Sequence, residues 1–249
     1  MKPFDQLFAQ DPANAGFVVR DPTAAAGYRP LTAADRYASA ARLALPAAAP
    51  DDVRGYFETA RTLWVYGWLH YPLYTWAGLH AGICVEMALK HRVAAEGLPE
   101  PRHGWTLQRL LETAVARRWV RARDFPDMPA VLARRREMEH ILRVIAAHEA
   151  AAQDAAPGGA DGVTTPTVIE IPDLGDAEPE PGLTDEELTA ILTTRLDAAR
   201  ELRNAQAHAS AHSYGTPDHG LAVLTLAHGV LLQLFPPPVP ELAPAPGHA

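Results

Sequence analysis

Arg203, Asn204 and His208 fall together in the run Arg203-Asn204-Ala205-Gln206-Ala207-His208. A guanidinium offers paired donors to a phosphate, a carboxamide fixes geometry, and an imidazole exchanges a proton near neutral pH. Those are the groups that scission of an RNA phosphodiester requires. If the run is helical, Asn204 and His208 lie one turn apart on one face with Arg203 beside them. A wheel at roughly 100° per residue puts Leu188, Ile191, Leu192, Leu196, Ala199, Leu202 and Gln206 on one side. Thr193, Asp197, Glu201, Asn204 and His208 fall opposite, with Arg203 on the border. The plain alternative for that polar stripe is a solvated face. Asp197 and Glu201 share it, and their charge opposes an incoming phosphate backbone.

The element that carries this run has a clear start. Thr184 with Glu187 three residues on is a capping box, and Leu183 facing Leu188 forms a hydrophobic staple, so the helix is expected to run from there through His208. Upstream, Tyr56, Ala60, Leu63, Trp64, Gly67 and Trp68 recur at helical spacing from Asp51, read as an N-cap after Pro50. Pro72 breaks that pattern, and a second helix continues to about Glu96, where Gly97 and Pro99 stop it. Thr106 caps a third helix with Leu107, Leu110, Leu111 and Val115. A fourth spans about Pro129 to Ala151 with Val131, Met138, Ile141, Leu142 and Ile145 on its apolar side. After the motif, Thr216 as N-cap and Pro217 at the first helical position open a sixth helix carrying Leu221, Leu224, Leu226, Val230, Leu231 and Leu234. The sole strand-like run is Thr167 to Ile171. The expected fold is all-α, a helical bundle over 51–235, with an Ala/Pro-rich N-terminal arm at 1–50, an acidic Pro/Gly-rich insertion at 153–182 just before the motif-bearing helix, and a Pro-rich tail at 236–249.

Composition bounds the function. A chain of 249 residues, 48% hydrophobic and 21% charged, is long enough for a real core. One cysteine, Cys84, excludes an intrachain disulfide and any multi-cysteine metal site, and Met1 to Pro12 lacks the apolar run of a secretory signal, so the expected location is cytoplasmic. The formal net charge of -8 is local in origin: Val144 to Thr194 holds eleven acids and no Lys or Arg, and the rest of the chain has 22 basic against 19 acidic residues. Between Arg117 and Arg143 eight arginines face four acids, either a solvated surface or one that tracks phosphates.

Two other chemistries compete. His208 and His212, spaced i, i+4 with Asp218 and His219 following, could reach one zinc if the helix continued, but no Glu stands between them as a base. His70, His80, His91 and His103 are too scattered for a motif. Thr62 to Val85 is 24 residues without a formal charge, yet Tyr66, His70, Tyr71, Pro72, Tyr74 and His80 would sit at membrane depth. A buried helix pair fits better, with Ala77, Gly78, Ala81 and Gly82 allowing close approach and Trp64, Trp68 and Trp76 as core or interface aromatics. The expectation is therefore no metal, no cofactor and no membrane.

Arg203, Asn204 and His208 match, position for position, the Arg-Asn-x-x-x-His pattern of ribonucleases in the HEPN superfamily (higher eukaryotes and prokaryotes nucleotide-binding domain), which the chain resembles over roughly Asp51 to Leu234. The run His80-Ala81-Gly82-Ile83-Cys84-Val85-Glu86-Met87-Ala88-Leu89-Lys90 looks like that family's early helix, an apolar stretch leading to Glu and then Leu-Lys. The resemblance implies a HEPN-like bundle and a metal-independent endoribonuclease. A 2'-hydroxyl attacks the adjacent phosphate to leave a 2',3'-cyclic phosphate, with His208 as general base or acid, Arg203 stabilising the transition state and Asn204 orienting the groups. It also implies a homodimer whose two motifs share a cleft, and an antitoxin or defence partner protein. The competing function is a non-catalytic HEPN-like module that binds a nucleotide or a protein.

Overall fold

The computed structural model describes residues 2–154, 183–207 and 216–237. They are mainly helical, as periodicity indicates, and the chain divides into two compact units, residues 1–125 with 185–249 and residues 126–184.

The first unit is built around its most apolar helices. Helices α2 (Asp51–Tyr66) and α3 (Leu73–Ala95) are divided by the turn before Pro72, and α3 packs against α2, α4 (Leu107–Ala116), α6 (Asp185–Ala207) and α7 (Pro217–Leu234). Small residues permit that crowding: Ala77, Gly78 and Ala81 are buried on α3, where larger side chains would hold the neighbouring backbones apart. Trp64, Phe57 and Tyr74 fill the centre, and the indole of Trp64 donates to the Pro217 carbonyl at 3.0 Å, tying α2 to the start of α7. Capping follows the sequence at two starts: Thr106 accepts from the Arg109 N–H, and Thr216 accepts from the His219 N–H with Pro217 in the first turn. At α2 the residue roles shift by one, since Pro50 occupies the N-cap and Asp51 is the first helical residue. Helix α6 begins directly after Thr184, where the capping box puts it.

The N-terminal arm carries more structure than its composition suggests. A two-stranded antiparallel hairpin, β1 (Val18–Arg20) and β2 (Tyr28–Pro30), precedes α1 (Ala33–Ala41), so the expectation of Thr167 to Ile171 as the only strand is corrected here, and that run itself lies outside the described residues. Helix α1 opens with a reciprocal box between Thr32 and Asp35, and Arg29 grips the Asp35 carboxylate through two hydrogen bonds of 2.7 Å. Asn14 is buried. Its amide donates to the carbonyls of Gly67 and Trp68, and its oxygen accepts from the Tyr74 hydroxyl at 3.0 Å. Arg36 enters an aromatic box, its guanidinium 5.0 to 5.7 Å from the rings of Trp64, Tyr74 and Phe17. These buried polar anchors fasten residues 1–50 to the α2–α3 turn.

The second unit is described through α5 (Met128–Asp154). Its expected apolar side is only partly covered: Met138 and Leu142 are exposed, and Arg134, Arg135, Arg136 and Arg143 interrupt the stripe. Such a helix has little to bury, in keeping with its grouping in a compact unit of its own. Residues 155–182, most of the acidic insertion, and 238–249 of the tail lie outside the described residues.

Candidate functional site

The leucines of α6 set where its polar residues point. Leu188, Leu192 and Leu196 are buried while Thr193, Asp197 and Glu201 are exposed, so over residues 188–201 the wheel's two faces are those of the folded chain. Arg203 and Asn204 sit between them, half-buried, at the border where α6 meets α3.

On α3, Gly82, Glu86 and Lys90 follow one another at i, i+4 spacing and form one ridge. Each meets Arg203 or its neighbour differently. Gly82 leaves room for the arginine stem: a Cβ there would lie 3.1 Å from the Arg203 Cγ. One turn on, the Glu86 carboxylate takes the guanidinium head at 3.0 Å from Nη2 through Oε2, and its other oxygen accepts from Lys90 Nζ at 2.8 Å. Arg203 Nη1 donates to Asn204 Oδ1 at 3.2 Å, which leaves the Asn204 amide nitrogen as a donor. Arg203 Nε is out of contact with solvent and has no acceptor among the described residues. The side chain remains 28% exposed against 19% for Glu86, so the ion pair is held at the helix crossing without being sealed from solvent. Two cations and one carboxylate leave this cluster with net positive charge.

The acidic neighbours that oppose a phosphate are partly neutralised. Arg200 lies 3.4 Å from Asp197 and 3.7 Å from Glu201, which offsets part of their charge. Beside Gly82, a mainly apolar cavity of about 30 Å³, lined by Leu111, Leu196, Ala199 and Val230 among others, has room for about one water. A substrate must therefore meet Arg203 from its exposed side and not through that cavity.

The structure brings Arg203 and Asn204 together and adds Glu86 and Lys90. His208 lies outside the described residues, as does His212. Among the described residues no group of three His, Cys, Asp or Glu side chains is placed to hold a metal, and none of the helices is long and apolar enough to cross a membrane. His80 stacks on Tyr56, and His91 pairs with Asp52 at 2.9 Å, so two of the scattered histidines have local roles. Cys84 is no nucleophile at neutral pH. Burial pushes its thiol up to about 12, and it donates to the Val53 carbonyl.

Glu86 as the partner of Arg203 was not singled out by sequence reasoning, although the Gly82-x-x-x-Glu86-x-x-x-Lys90 spacing signals a ridge with a notch. What spacing cannot supply is the crossing of α6 over that notch, 117 residues away along the chain. The chain matches no family model, no curated protein and no solved structure.

Proposed function

We propose that the chain is a HEPN-like, metal-independent endoribonuclease in which Arg203, Asn204 and His208 act on an RNA phosphodiester. The observation that supports this reading is the Arg203–Glu86 ion pair: the two segments that carry the resemblance, far apart in sequence, meet at one point. In the proposed reaction His208 takes the proton of a 2'-hydroxyl, whose oxygen attacks the adjacent phosphorus. The bond from phosphorus to the 5'-oxygen breaks, and that oxygen takes a proton from solvent water as it leaves. The product ends are a 2',3'-cyclic phosphate and a 5'-hydroxyl. Arg203 answers the charge that grows on the non-bridging oxygens. Glu86 fixes the guanidinium beforehand, so that less reorganisation is left for the transition state. Asn204 holds Nη1 through its oxygen and offers its amide protons to substrate. A homodimer would complete the site, with the exposed edges of two Arg203 clusters facing one strand.

Purified protein is expected to cleave single-stranded RNA in the presence of chelator. Arg203→Ala is expected to lower the rate by about 10²–10³-fold and His208→Ala by about 10²–10⁴-fold, with helix content by circular dichroism unchanged. Full activity in either variant, or complete loss in chelator, overturns the proposal. The alternative, a non-catalytic binding module, draws on the same ion pair, because a guanidinium already tied to Glu86 can hold a phosphate in the ground state yet has less charge to give a developing transition state. RNA binding without cleavage, weakened by Arg203→Ala, would select it.

A further inference from the structure

A second basic feature stands in the first unit, formed where α4 ends. The run Arg117-Arg118-Trp119-Val120-Arg121 curls around an open cleft of about 710 Å³, to which α3 contributes Arg92 and α7 contributes Gln233. That volume suits a ligand the size of a nucleotide.

Arg118 is the residue to explain. Helix α4 closes with Trp119 N–H donating to the Ala114 carbonyl at 2.9 Å and Arg118 N–H to the Val115 carbonyl at 3.0 Å, a Schellman turn that leaves Arg118 at φ 57°. Glycine takes that conformation without a steric penalty and arginine does not, so the turn itself gives no reason for the side chain. Arg118 is exposed, and its guanidinium has no ion pair among the described residues.

The surrounding groups are tied. Glu96 takes both Arg92, at 2.9 Å, and Arg117, at 3.2 Å, while Asp124 takes Arg121 at 2.8 Å. Four guanidiniums thus face two carboxylates, and the excess charge is positive in a chain whose overall charge is negative. Arg92 is fixed a second time, lying over the Trp119 ring at 5.5 Å. The Gln233 side chain is oriented by accepting from the Arg121 N–H at 2.7 Å, and its amide nitrogen, out of contact with solvent, finds no acceptor among the described residues. Leu232, Leu234 and Pro236 make a wall of the same cleft apolar. A bare inorganic anion would use the arginines and ignore that wall.

We propose that this cleft binds a nucleotide, its phosphate charge on Arg118 and Arg121 and its ring system against the apolar wall, either as a free nucleoside triphosphate or as part of an RNA strand. The proposal does not rest on the nuclease reading, because it uses none of Arg203, Asn204 or His208. Binding is measured by fluorescence anisotropy on the full chain with two probes, labelled adenosine triphosphate and a labelled single-stranded oligouridylate, the latter with the His208→Ala chain so that cleavage cannot consume it. Arg118→Gly removes the guanidinium while supplying the residue the turn prefers, so thermal stability should hold or rise as affinity falls. For at least one probe the expected loss is about tenfold in Arg118→Gly and larger with Arg121→Ala added, with a shallower salt dependence in both, since each lost phosphate contact releases fewer counterions. Arg203→Ala should leave the triphosphate affinity unchanged, which separates this cleft from the nuclease site. Loss for the triphosphate identifies a free nucleotide as the ligand, and loss confined to the oligouridylate identifies a strand. If neither probe binds, or if both bind Arg118→Gly as they bind the parent chain, the proposal is overturned.

Discussion

Glu86 holds Arg203 with one oxygen and Lys90 with the other, and the two jobs have separable consequences. In Glu86→Gln the charge that anchors the guanidinium is gone while the shape is kept. The pair is neither buried nor fully solvated, so the expected cost is about 1–2 kcal/mol, between the ranges for exposed and buried ion pairs. On the proposed chemistry the rate is affected differently from binding. A loosened guanidinium lowers kcat, whereas removing a carboxylate next to the phosphate leaves KM unchanged or lower. A rise in KM at unchanged kcat would show that Glu86 serves binding alone.

A second residue sets a pH limit on the fold. His228 is buried against Phe57, and its Nε2–H donates to the Ala44 carbonyl at 3.1 Å. Burial pushes its imidazole below the ordinary range and outweighs that hydrogen bond. The unfolded chain therefore binds this proton more readily than the folded one. The associated stability is complete above the unfolded value near 6.5 and is lost as pH falls below it. Thermal melts between about pH 7.5 and 5 should show a falling Tm, and His228→Gln, which keeps a donor but cannot titrate, should flatten that slope. The depressed carboxylates Asp11 and Asp52 act only at lower pH, so they do not blur this window. An equal slope in the variant would assign the pH dependence elsewhere.

Among the elements, the crossing of α6 over α3 carries the site, and Gly82 is its point of contact. Gly82→Ala adds a helix-favouring residue, a gain of about 0.5–1 kcal/mol, but drives a methyl to 3.1 Å from the Arg203 Cγ. The arginine stem must shift by a few tenths of an ångström. The expected outcome is a Tm changed by no more than about 4–8 °C, the shift that about 1 kcal/mol produces in a small domain, with RNA cleavage lowered by roughly tenfold. Unchanged cleavage would place Arg203 outside the reacting geometry. The starts of α4, α6 and α7 were legible because Thr106, Thr184 and Thr216 carry local signals, and the apolar face of α6 was legible from period alone. The N-terminal arm was not. Its anchors are single polar side chains, Asn14 and Arg36, whose long-range partners lie on α2, α3 and the turn between them, and no local pattern announces such a contact. The division into two compact units was likewise hidden, since a weak apolar stripe reads the same whichever unit it belongs to.

For the molecule as a whole, the basic and acidic parts are segregated along the chain. The eleven acids of Val144 to Thr194 set the formal charge, while the first unit presents two clusters in which cations outnumber carboxylates, Arg203 and Lys90 on Glu86 and the four arginines around Arg118. Overall charge therefore does not describe these clusters, whose local positive charge is what both proposed phosphate ligands require. Arg203 and Asn204 were legible in the sequence as neighbours in one motif, Asn204 on the polar side of the helix and Arg203 at its border. Their long-range partner Glu86 depends on a crossing that only the fold provides, and the cleft around Arg118 depends on a turn whose left-handed residue is an arginine. The central claim is that Arg203, Asn204 and His208 cut RNA by internal 2'-hydroxyl attack. The most direct measurement is incubation of the full chain with end-labelled single-stranded RNA in excess chelator, resolving the product termini, alongside Arg203→Ala and His208→Ala. The account predicts fragments ending in 2',3'-cyclic phosphate from the parent chain and intact RNA from both variants. Fragments with 3'-hydroxyl ends, or equal cleavage by the variants, would contradict it.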